Sequence, residues 1–228
     1  MKSADQLPVI ILGGGGHARV LADCLQLAGR RVLGFTAPER QPDLAPGIAW
    51  LGDDTVLAGH DPADVELVNG IGSVGSTGKR RQVFTHWTGK AYRFASLRHP
   101  AALISGLAVT LGHGSQLLAG SQVAPGVRLG DNVLINSRAV LEHDCRVGDH
   151  SHIATGAIVC GGCDIGSGVH IGAGATLIQG ITIGNGAIIA AGSVVTTNVE
   201  PLTLIAGVPG RPKRALNEQD LEGHQRPA

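Results

Sequence analysis

The chain has 228 residues, which is enough for one large domain or two small ones. Glycine accounts for 35 residues, about twice its usual share, whereas aromatic residues make up only 3% and charged residues 16%. The 43% hydrophobic content excludes a disordered chain, the balance of 18 basic and 18 acidic residues argues against nucleic acid as the main partner, and no apolar run is long enough for a membrane span.

Residues 1–100 have the pattern of a small Rossmann-like α/β domain. Residues 8–12 form a continuous apolar run, which is typical of a buried parallel strand. The glycine-rich turn Gly13–Gly16 separates this run from a helix that is predicted over 18–28. The other predicted elements are a strand over 31–35, a strand and turn over 64–72 and a helix over 79–87. Strands that alternate with helices indicate an open α/β sheet.

The glycine-rich turn predicts an anion site. Backbone N–H groups in such a turn and at the following helix N-terminus face a phosphate in many nucleotide-binding proteins. The spacing Gly13-x-Gly15-x-x-Ala18 fits the dinucleotide fingerprint, but that fingerprint also requires an acidic residue at the end of the second strand. This chain has Thr36-Ala37 there, which favours the diphosphate of a mononucleotide. A tight turn without a ligand is the alternative.

From Leu111 to Val195 an aliphatic residue recurs at every sixth position. The fifteen residues are Leu111, Leu117, Val123, Leu129, Ile135, Leu141, Val147, Ile153, Val159, Ile165, Ile171, Leu177, Ile183, Ile189 and Val195. A helical or simple strand period does not explain this series, whereas a parallel β-helix does. Glycine and asparagine between the aliphatic positions suit the corners. We therefore predict a β-helix over 101–228, with residues 18 apart stacked in neighbouring coils.

One corner of this predicted β-helix carries a candidate general base. Leu141 and Cys145 are expected to point inward, which leaves Glu142, His143 and Asp144 on the outer surface. Imidazole is the side chain that most readily exchanges a proton near neutral pH. The pair Cys160 and Cys163 lacks a second pair of ligands, so we predict no metal site.

The two halves together resemble the bacterial nucleotide-sugar acetyltransferases of the hexapeptide-repeat family, which include PglD, the sialic acid O-acetyltransferase and perosamine N-acetyltransferases. The segments that carry the resemblance are Gly13–His17, Asn69–Gly72 with Arg80-Arg81, Glu142–Cys145, His152 and Gly207–Pro209. The resemblance implies a left-handed β-helix with three hexapeptides per coil. It also implies a nucleotide sugar on the N-terminal domain and acetyl-CoA in a channel between the subunits of a homotrimer.

The resemblance assigns roles to individual residues. His143 is the expected base, oriented by Asp144 or Glu142, and the N–H of Gly161 is the expected oxyanion donor. The expected substrate contacts are Gly15, Gly16, His17, Thr36 and Gly72. The expected acetyl-CoA contacts, besides Gly161, are His152, Ala173 and Ala191. Members that use UDP-sugars carry an Asp pair where this chain has Thr36-Ala37, so the resemblance leaves GDP or dTDP as the nucleotide.

These features predict an enzyme that transfers acetyl from acetyl-CoA directly to the amine of a nucleotide-linked 4-amino-4,6-dideoxy sugar, with a GDP-perosamine-like sugar as the best candidate. O-acetylation of a sugar hydroxyl and a non-catalytic β-helix scaffold are the alternatives. The first residues lead into a strand without a secretion signal, and the four cysteines fit reduced thiols. We therefore expect a cytoplasmic protein.

Overall fold

The computed structural model describes residues 6–222. Its N-terminal part contains β1 Val9–Leu12, α1 Gly16–Leu27, β2 Val32–Thr36, β3 Trp50–Gly52, a 3₁₀ helix Asp54–Gly59, β4 Glu66–Asn69, α2 Gly78–Thr88 and β5 Arg93–Phe94. The strands form one parallel sheet in the order β3-β2-β1-β4-β5. Every element predicted for this half is present, and α1 begins two residues earlier than predicted, at Gly16.

The strand order places a topological switch point beside β1. All four residues of β1 are buried because α1 and α2 cover the two sides of the sheet. The chain runs outward from β1 to β3 on one side and from β4 to β5 on the other. The loops that follow β1 and β4 therefore open a crevice between them, which is where ligands bind in open parallel sheets.

The C-terminal part is the predicted left-handed parallel β-helix. Its two-residue strands are β6 Leu97–Arg98, β7 Leu103–Ile104, β8 Thr110–Leu111, β9 Gln116–Leu117, β10 Gln122–Val123, β11 Arg128–Leu129, β12 Leu134–Ile135, β13 Val140–Leu141, β14 Arg146–Val147, β15 His152–Ile153, β16 Ile158–Val159, β17 Asp164–Ile165, β18 His170–Ile171, β19 Thr176–Leu177, β20 Thr182–Ile183, β21 Ile188–Ile189 and β22 Val194–Val195. Each of the fifteen periodic aliphatic residues is the second residue of a strand from β8 to β22, and all except Leu111 are buried. The period of six is thus confirmed as the repeat of one inward side chain per strand.

Residues 18 apart stack as predicted. Val123 pairs with Leu141, and Leu141 pairs with Val159 in the next coil. Cys145 and Cys163, also 18 apart, are fully buried in this interior as free thiols, and each thiol donates to a carbonyl at 3.2 Å. The column is filled by small and branched side chains, which compensates for the scarcity of aromatic residues.

The β-helix has three faces of different chemistry. The domain face (β6, β9, β12, β15, β18 and β21) continues into β23 Thr203–Ala206 and β24 Arg211–Ala215 and packs against the N-terminal domain. The polar face (β8, β11, β14, β17 and β20) carries exposed Arg128, Arg146 and Asp164. The apolar face (β7, β10, β13, β16 and β19 with β22) exposes Leu103 by 65% and Ile158 by 42%.

A buried seam joins the two parts. Leu118 and Leu134 of the domain face pack into the apolar cluster beneath α1. Beside them Arg80 of α2 is fully buried, and it donates to the carbonyls of Asn69 and Ile71. Burial lowers the pKa of Arg80 to about 9.

The described part of the chain ends in a short helix, α3 Glu218–Glu222. The basic strand β24 is exposed along its whole length and pairs antiparallel with β23. Between residues 6 and 222, no helix has the length and apolar character needed to cross a membrane.

Candidate active site

The structure brings His143 and Asp144 together at the corner between the apolar and polar faces. Leu141 and Cys145 point inward as predicted, and the three residues between them are exposed. His143 Nδ1 lies 3.0 Å from Asp144 Oδ2. A carboxylate can only accept, so Nδ1 carries the proton and Nε2 presents a lone pair. Among the described residues, Asp144 is the carboxylate that reaches this ring; Glu142 does not pair with it.

Gly161 lies directly against the imidazole in the next coil. A Cβ added to Gly161 would come within 2.5 Å of His143 Nε2, closer than two such atoms approach in proteins. The Gly161 N–H donates to no acceptor within residues 6–222, although its carbonyl accepts from Gly180 at 3.0 Å. The corner therefore places a proton acceptor and a free N–H donor side by side, which is the pair that acyl transfer requires.

The backbone at Asp144 is strained. Its φ is +60°, whereas the stacked positions in the two neighbouring coils are Gly126 and Gly162, with φ of +74° and +69°. Non-glycine residues adopt this left-handed conformation at a cost, and asparagine and aspartate tolerate it best. Arg138 and His150 take the same conformation at the equivalent position of neighbouring hexapeptides, so the left-handed φ is a property of the repeat.

The glycine-rich turn forms the N-terminus of α1, at the switch point of the sheet. Gly13 has φ of +103°, and its N–H donates to Thr36 O at 2.8 Å. A Cβ on Gly15 or Gly16 would meet nothing within 4 Å, so the backbone at these glycines faces open space. This geometry suits backbone N–H contacts to a phosphate group.

His17 and Gly72 face each other across the crevice. A Cβ on Gly72 would lie 3.3 Å from His17 Cβ, so the loop after β4 packs on the histidine side chain. His17 Nε2 lies 2.8 Å from Gln116 Oε1 of the domain face. Burial and the charge of Arg80 lower the pKa of His17 to about 4, so the ring is neutral near physiological pH.

Thr36, a predicted substrate contact, is the last residue of β2. The side chain is fully buried, and its hydroxyl donates to Asp54 Oδ1 at 2.5 Å. The hydroxyl is thus already engaged by the protein rather than presented to a nucleoside. Asp54 is the first residue of the 3₁₀ helix, which follows β3.

His152, a predicted acetyl-CoA contact, is only 3% exposed. Its Nδ1 lies 2.7 Å from Ser73 Oγ and its Nε2 lies 3.1 Å from Asn136 Nδ2. Both ring nitrogens therefore have protein partners in this chain. The ring packs edge-on against His170, with ring centroids 4.9 Å apart. The family motif indicated a histidine here, but sequence alone had no signal that the N-terminal domain covers it.

Ala173 and Ala191 lie at another corner, between the domain face and the apolar face. Both are exposed, and they stack through a hydrogen bond from Gly192 N to Ala173 O. Within one chain, these two alanines lie at the opposite edge of the apolar face from His143. A groove of about 320 Å³ on the apolar face is lined by β7, β10 and β13 and reaches the catalytic corner at Glu142. Within residues 6–222, no cluster of three or more histidine, cysteine or acidic side chains suits a metal ion.

Two family models match the sequence. The bacterial transferase hexapeptide (six repeats) matches residues 126–161, 144–179 and 162–197, and the PglD N-terminal domain matches residues 8–86. A comparison with curated proteins finds no match.

Solved structures match over both domains. The acetyltransferase domain of PglB from Neisseria gonorrhoeae is 28% identical with a TM-score of 0.84, covering 91% of this chain and 100% of that one. PerB from Caulobacter crescentus, solved with CoA and GDP-perosamine, is 31% identical with a TM-score of 0.82, covering 91% of this chain and 97% of that one. The chain belongs to the hexapeptide-repeat nucleotide-sugar acetyltransferases. Family membership confirms the fold and the enzyme class that the sequence predicted.

Replacing Asp144 in this acetyltransferase separates charge from backbone strain. The Asp144→Asn variant keeps the shape and tolerates the positive φ, but it removes the carboxylate, so kcat should fall about fivefold to tenfold. The Asp144→Gly variant should lose the same activity while its free energy of unfolding changes by less than about 1 kcal/mol, because glycine suits this φ. Steady-state kinetics and denaturant titration measure both effects. Full activity in both variants would contradict the pairing with His143.

Acid should destabilise the seam of this acetyltransferase. Burial lowers the pKa of His17 and of His170 from 6.5 to about 4. The unfolded chain therefore binds more protons than the folded chain below pH 6.5, and stability falls as the pH drops from 6.5 towards 4. Each histidine should lower the free energy of unfolding by about 2 kcal/mol at pH 5 relative to pH 7. Denaturant titrations at pH 7 and pH 5 measure this drop in the free energy of unfolding. The His170→Leu variant should show a drop that is smaller by about 2 kcal/mol, whereas the exposed control His86→Leu should show the same drop as the unmodified protein. An equal drop in both variants would refute the prediction.

Proposed function

We propose that this acetyltransferase transfers the acetyl group of acetyl-CoA to the amine of a nucleotide-linked 4-amino-4,6-dideoxy sugar, with a GDP-linked sugar of the perosamine type as substrate. The similarity to PerB, which was solved with CoA and GDP-perosamine, supports both substrates. The Thr36-Ala37 pair, in place of the Asp pair of UDP-sugar members, supports GDP. We place the enzyme in the cytoplasm, where both substrates are made and where the four thiols stay reduced.

The observation that carries this proposal is the contact between His143, Asp144 and Gly161. An amino sugar has an amine pKa of about 8, so the attacking nitrogen must lose a proton near neutral pH. His143 Nε2 accepts that proton while Asp144 holds Nδ1–H. The amine then attacks the thioester carbonyl, and the Gly161 N–H stabilises the oxyanion. Collapse of the intermediate breaks the C–S bond, and His143 passes its proton to the CoA thiolate. The nitrogen releases its second proton to solvent as the amide forms.

The transfer is direct in this proposal, with no acyl-enzyme. The thiols of Cys145 and Cys163 are sealed in the β-helix interior, and the contact with Cys163 together with burial raises the pKa of Cys145. Burial also raises the pKa of the partly exposed Cys160. A buried or protonated thiol is a poor nucleophile, so the corner histidine is the better activated group.

We also propose a homotrimer with active sites between subunits. His143 borders one edge of the apolar face, and Ala173 and Ala191 border the other edge. Packing the apolar face against a neighbour buries exposed Leu103 and Ile158. It also brings the alanine corner of one subunit towards the histidine corner of the next, which forms a channel for acetyl-CoA. His152 lies on the domain face rather than at either corner.

A substrate screen tests the proposed function. The enzyme is incubated with acetyl-CoA and the 4-amino sugars of GDP, UDP or dTDP, and free thiol release is followed. We expect the GDP sugar to give the highest kcat/KM. A GDP-linked hexose without an amine is the matched control, and release with that control alone would favour O-acetylation. Absence of release with every sugar would support a scaffold and contradict the proposal.

A further inference from the structure

A buried relay at the seam holds His17 in one tautomer. Gln116 Nε2 donates to Asn69 O at 2.9 Å, and because a carbonyl only accepts, this contact fixes the orientation of the amide. Gln116 Oε1 then faces His17 Nε2 at 2.8 Å. An amide oxygen also only accepts, so the proton of the neutral ring must lie on Nε2. His17 Nδ1 is left as an acceptor.

Arg80 supports the same arrangement from the other side of Gln116. Its NH2 group approaches Gln116 Oε1 at 3.5 Å, and the guanidinium is paired with no carboxylate among the described residues. This uncompensated positive charge disfavours a second proton on His17, as does the burial of the ring. The remaining titratable neighbour is His152, which burial also keeps neutral by lowering its pKa.

His17 Nδ1 makes no hydrogen bond within residues 6–222, yet it is not sealed from solvent. His17 directly follows Gly15 and Gly16, whose backbone faces open space. A phosphate diester oxygen accepts hydrogen bonds and cannot donate one to a bare Nδ1. A hydroxyl group can donate to it.

We propose that His17 binds a hydroxyl group of the nucleotide sugar through Nδ1, and that the diphosphate is bound by backbone N–H groups alone. In this arrangement Gln116 and Arg80 are positioning residues, because they act through the tautomer of His17. The inference rests on the proposed function and adds a specificity contact to it.

Proton linkage tests the inference in the unmodified protein. Calorimetric binding of GDP-, UDP- and dTDP-linked neutral hexoses, repeated in buffers of different ionisation enthalpy at pH 7, gives the number of protons taken up. The diphosphate of these probes has no group that titrates near neutrality, so uptake reports on the protein. We expect near-zero uptake. Because Nε2 is held, donation from Nδ1 to phosphate needs an imidazolium, and uptake approaching one proton would overturn the inference while leaving the proposed function intact.

Two variants give an independent result. His17→Phe keeps a flat ring but removes the acceptor, and it should weaken binding of the probe about fivefold to tenfold. Gln116→Glu places a carboxylate beside Nε2 and favours the protonated ring, so it should also weaken binding, whereas a phosphate contact through Nδ1 would be strengthened. His113→Phe, at an exposed corner, is the control.

Comparison of free GDP with the GDP-linked hexose locates the hydroxyl. If His17→Phe weakens the binding of GDP itself, the hydroxyl group lies on the ribose. If the variant weakens only the binding of the hexose conjugate, the hydroxyl group lies on the hexose. No loss with either ligand would overturn the inference. If none of the three hexose conjugates binds the unmodified protein, the result contradicts the proposed function and, with it, the inference that rests on that function.

Discussion

Replacement of His143 by alanine should lower kcat/KM for acetyl transfer by about 100-fold or more and leave the fold intact. A general base in this position contributes about 10²–10⁴ in rate. The side chain is 65% exposed and its contacts are Asp144 and Gly161, so its removal opens no cavity in the core. Thiol release measures the rate, and thermal unfolding shows that the β-helix is unchanged.

His113 offers a matched control for this variant. It lies two residues after the inward Leu111, as His143 lies two residues after Leu141, and it is exposed at a different corner. His113→Ala should keep full activity. If His143→Ala also keeps full activity, the corner has no catalytic role.

Replacement of Gly161 by alanine should lower kcat about 100-fold to 1000-fold. The new methyl group would lie within 2.5 Å of His143 Nε2 and 2.7 Å of Cε1, so the imidazole must leave its position. The same methyl group narrows the approach of the thioester to the Gly161 N–H, and loss of one oxyanion donor costs about 3 kcal/mol. The KM for the nucleotide sugar should change little, because its predicted contacts lie in the N-terminal domain.

The control for this variant is Gln179→Ala. Gln179 occupies the same corner one coil beyond Gly161 and is exposed. Steady-state kinetics should show wild-type kcat for Gln179→Ala. Wild-type kcat for Gly161→Ala would mean that neither the imidazole nor the N–H acts where the structure places it.

The β-helix could be predicted from the sequence because its stabilising interactions are local and repeated. Each aliphatic residue from Leu117 to Val195 fills the same kind of interior site, so the period of six translates directly into inward and outward positions. Strands β3 and β5 were not predicted. They have three and two residues, too few for a periodic pattern, and they exist because they pair with β2 and β4.

The arrangement of the candidate site depended on contacts that sequence spacing does not encode. Glu142 and Asp144 are equivalent neighbours of His143 in the sequence, and the positive φ at Asp144 brings that carboxylate to the ring. His152 is covered by a loop that lies 79 residues earlier, at Ser73.

Gln116 had no signal in the sequence at all. It lies on a two-residue strand among many similar ones, and its contact with His17 bridges 99 residues. Pairs that meet only when two domains dock leave no local pattern.

The position of the acetyl group in the product tests the proposed reaction most directly. A GDP-linked 4-amino-4,6-dideoxy sugar is incubated with acetyl-CoA and the enzyme, and the product is characterised by mass spectrometry and NMR. We expect one added acetyl group, joined to the sugar nitrogen as an amide that resists mild base, and no such product with His143→Ala. An ester on a sugar oxygen, or an equal yield of amide with His143→Ala, would contradict the assignment.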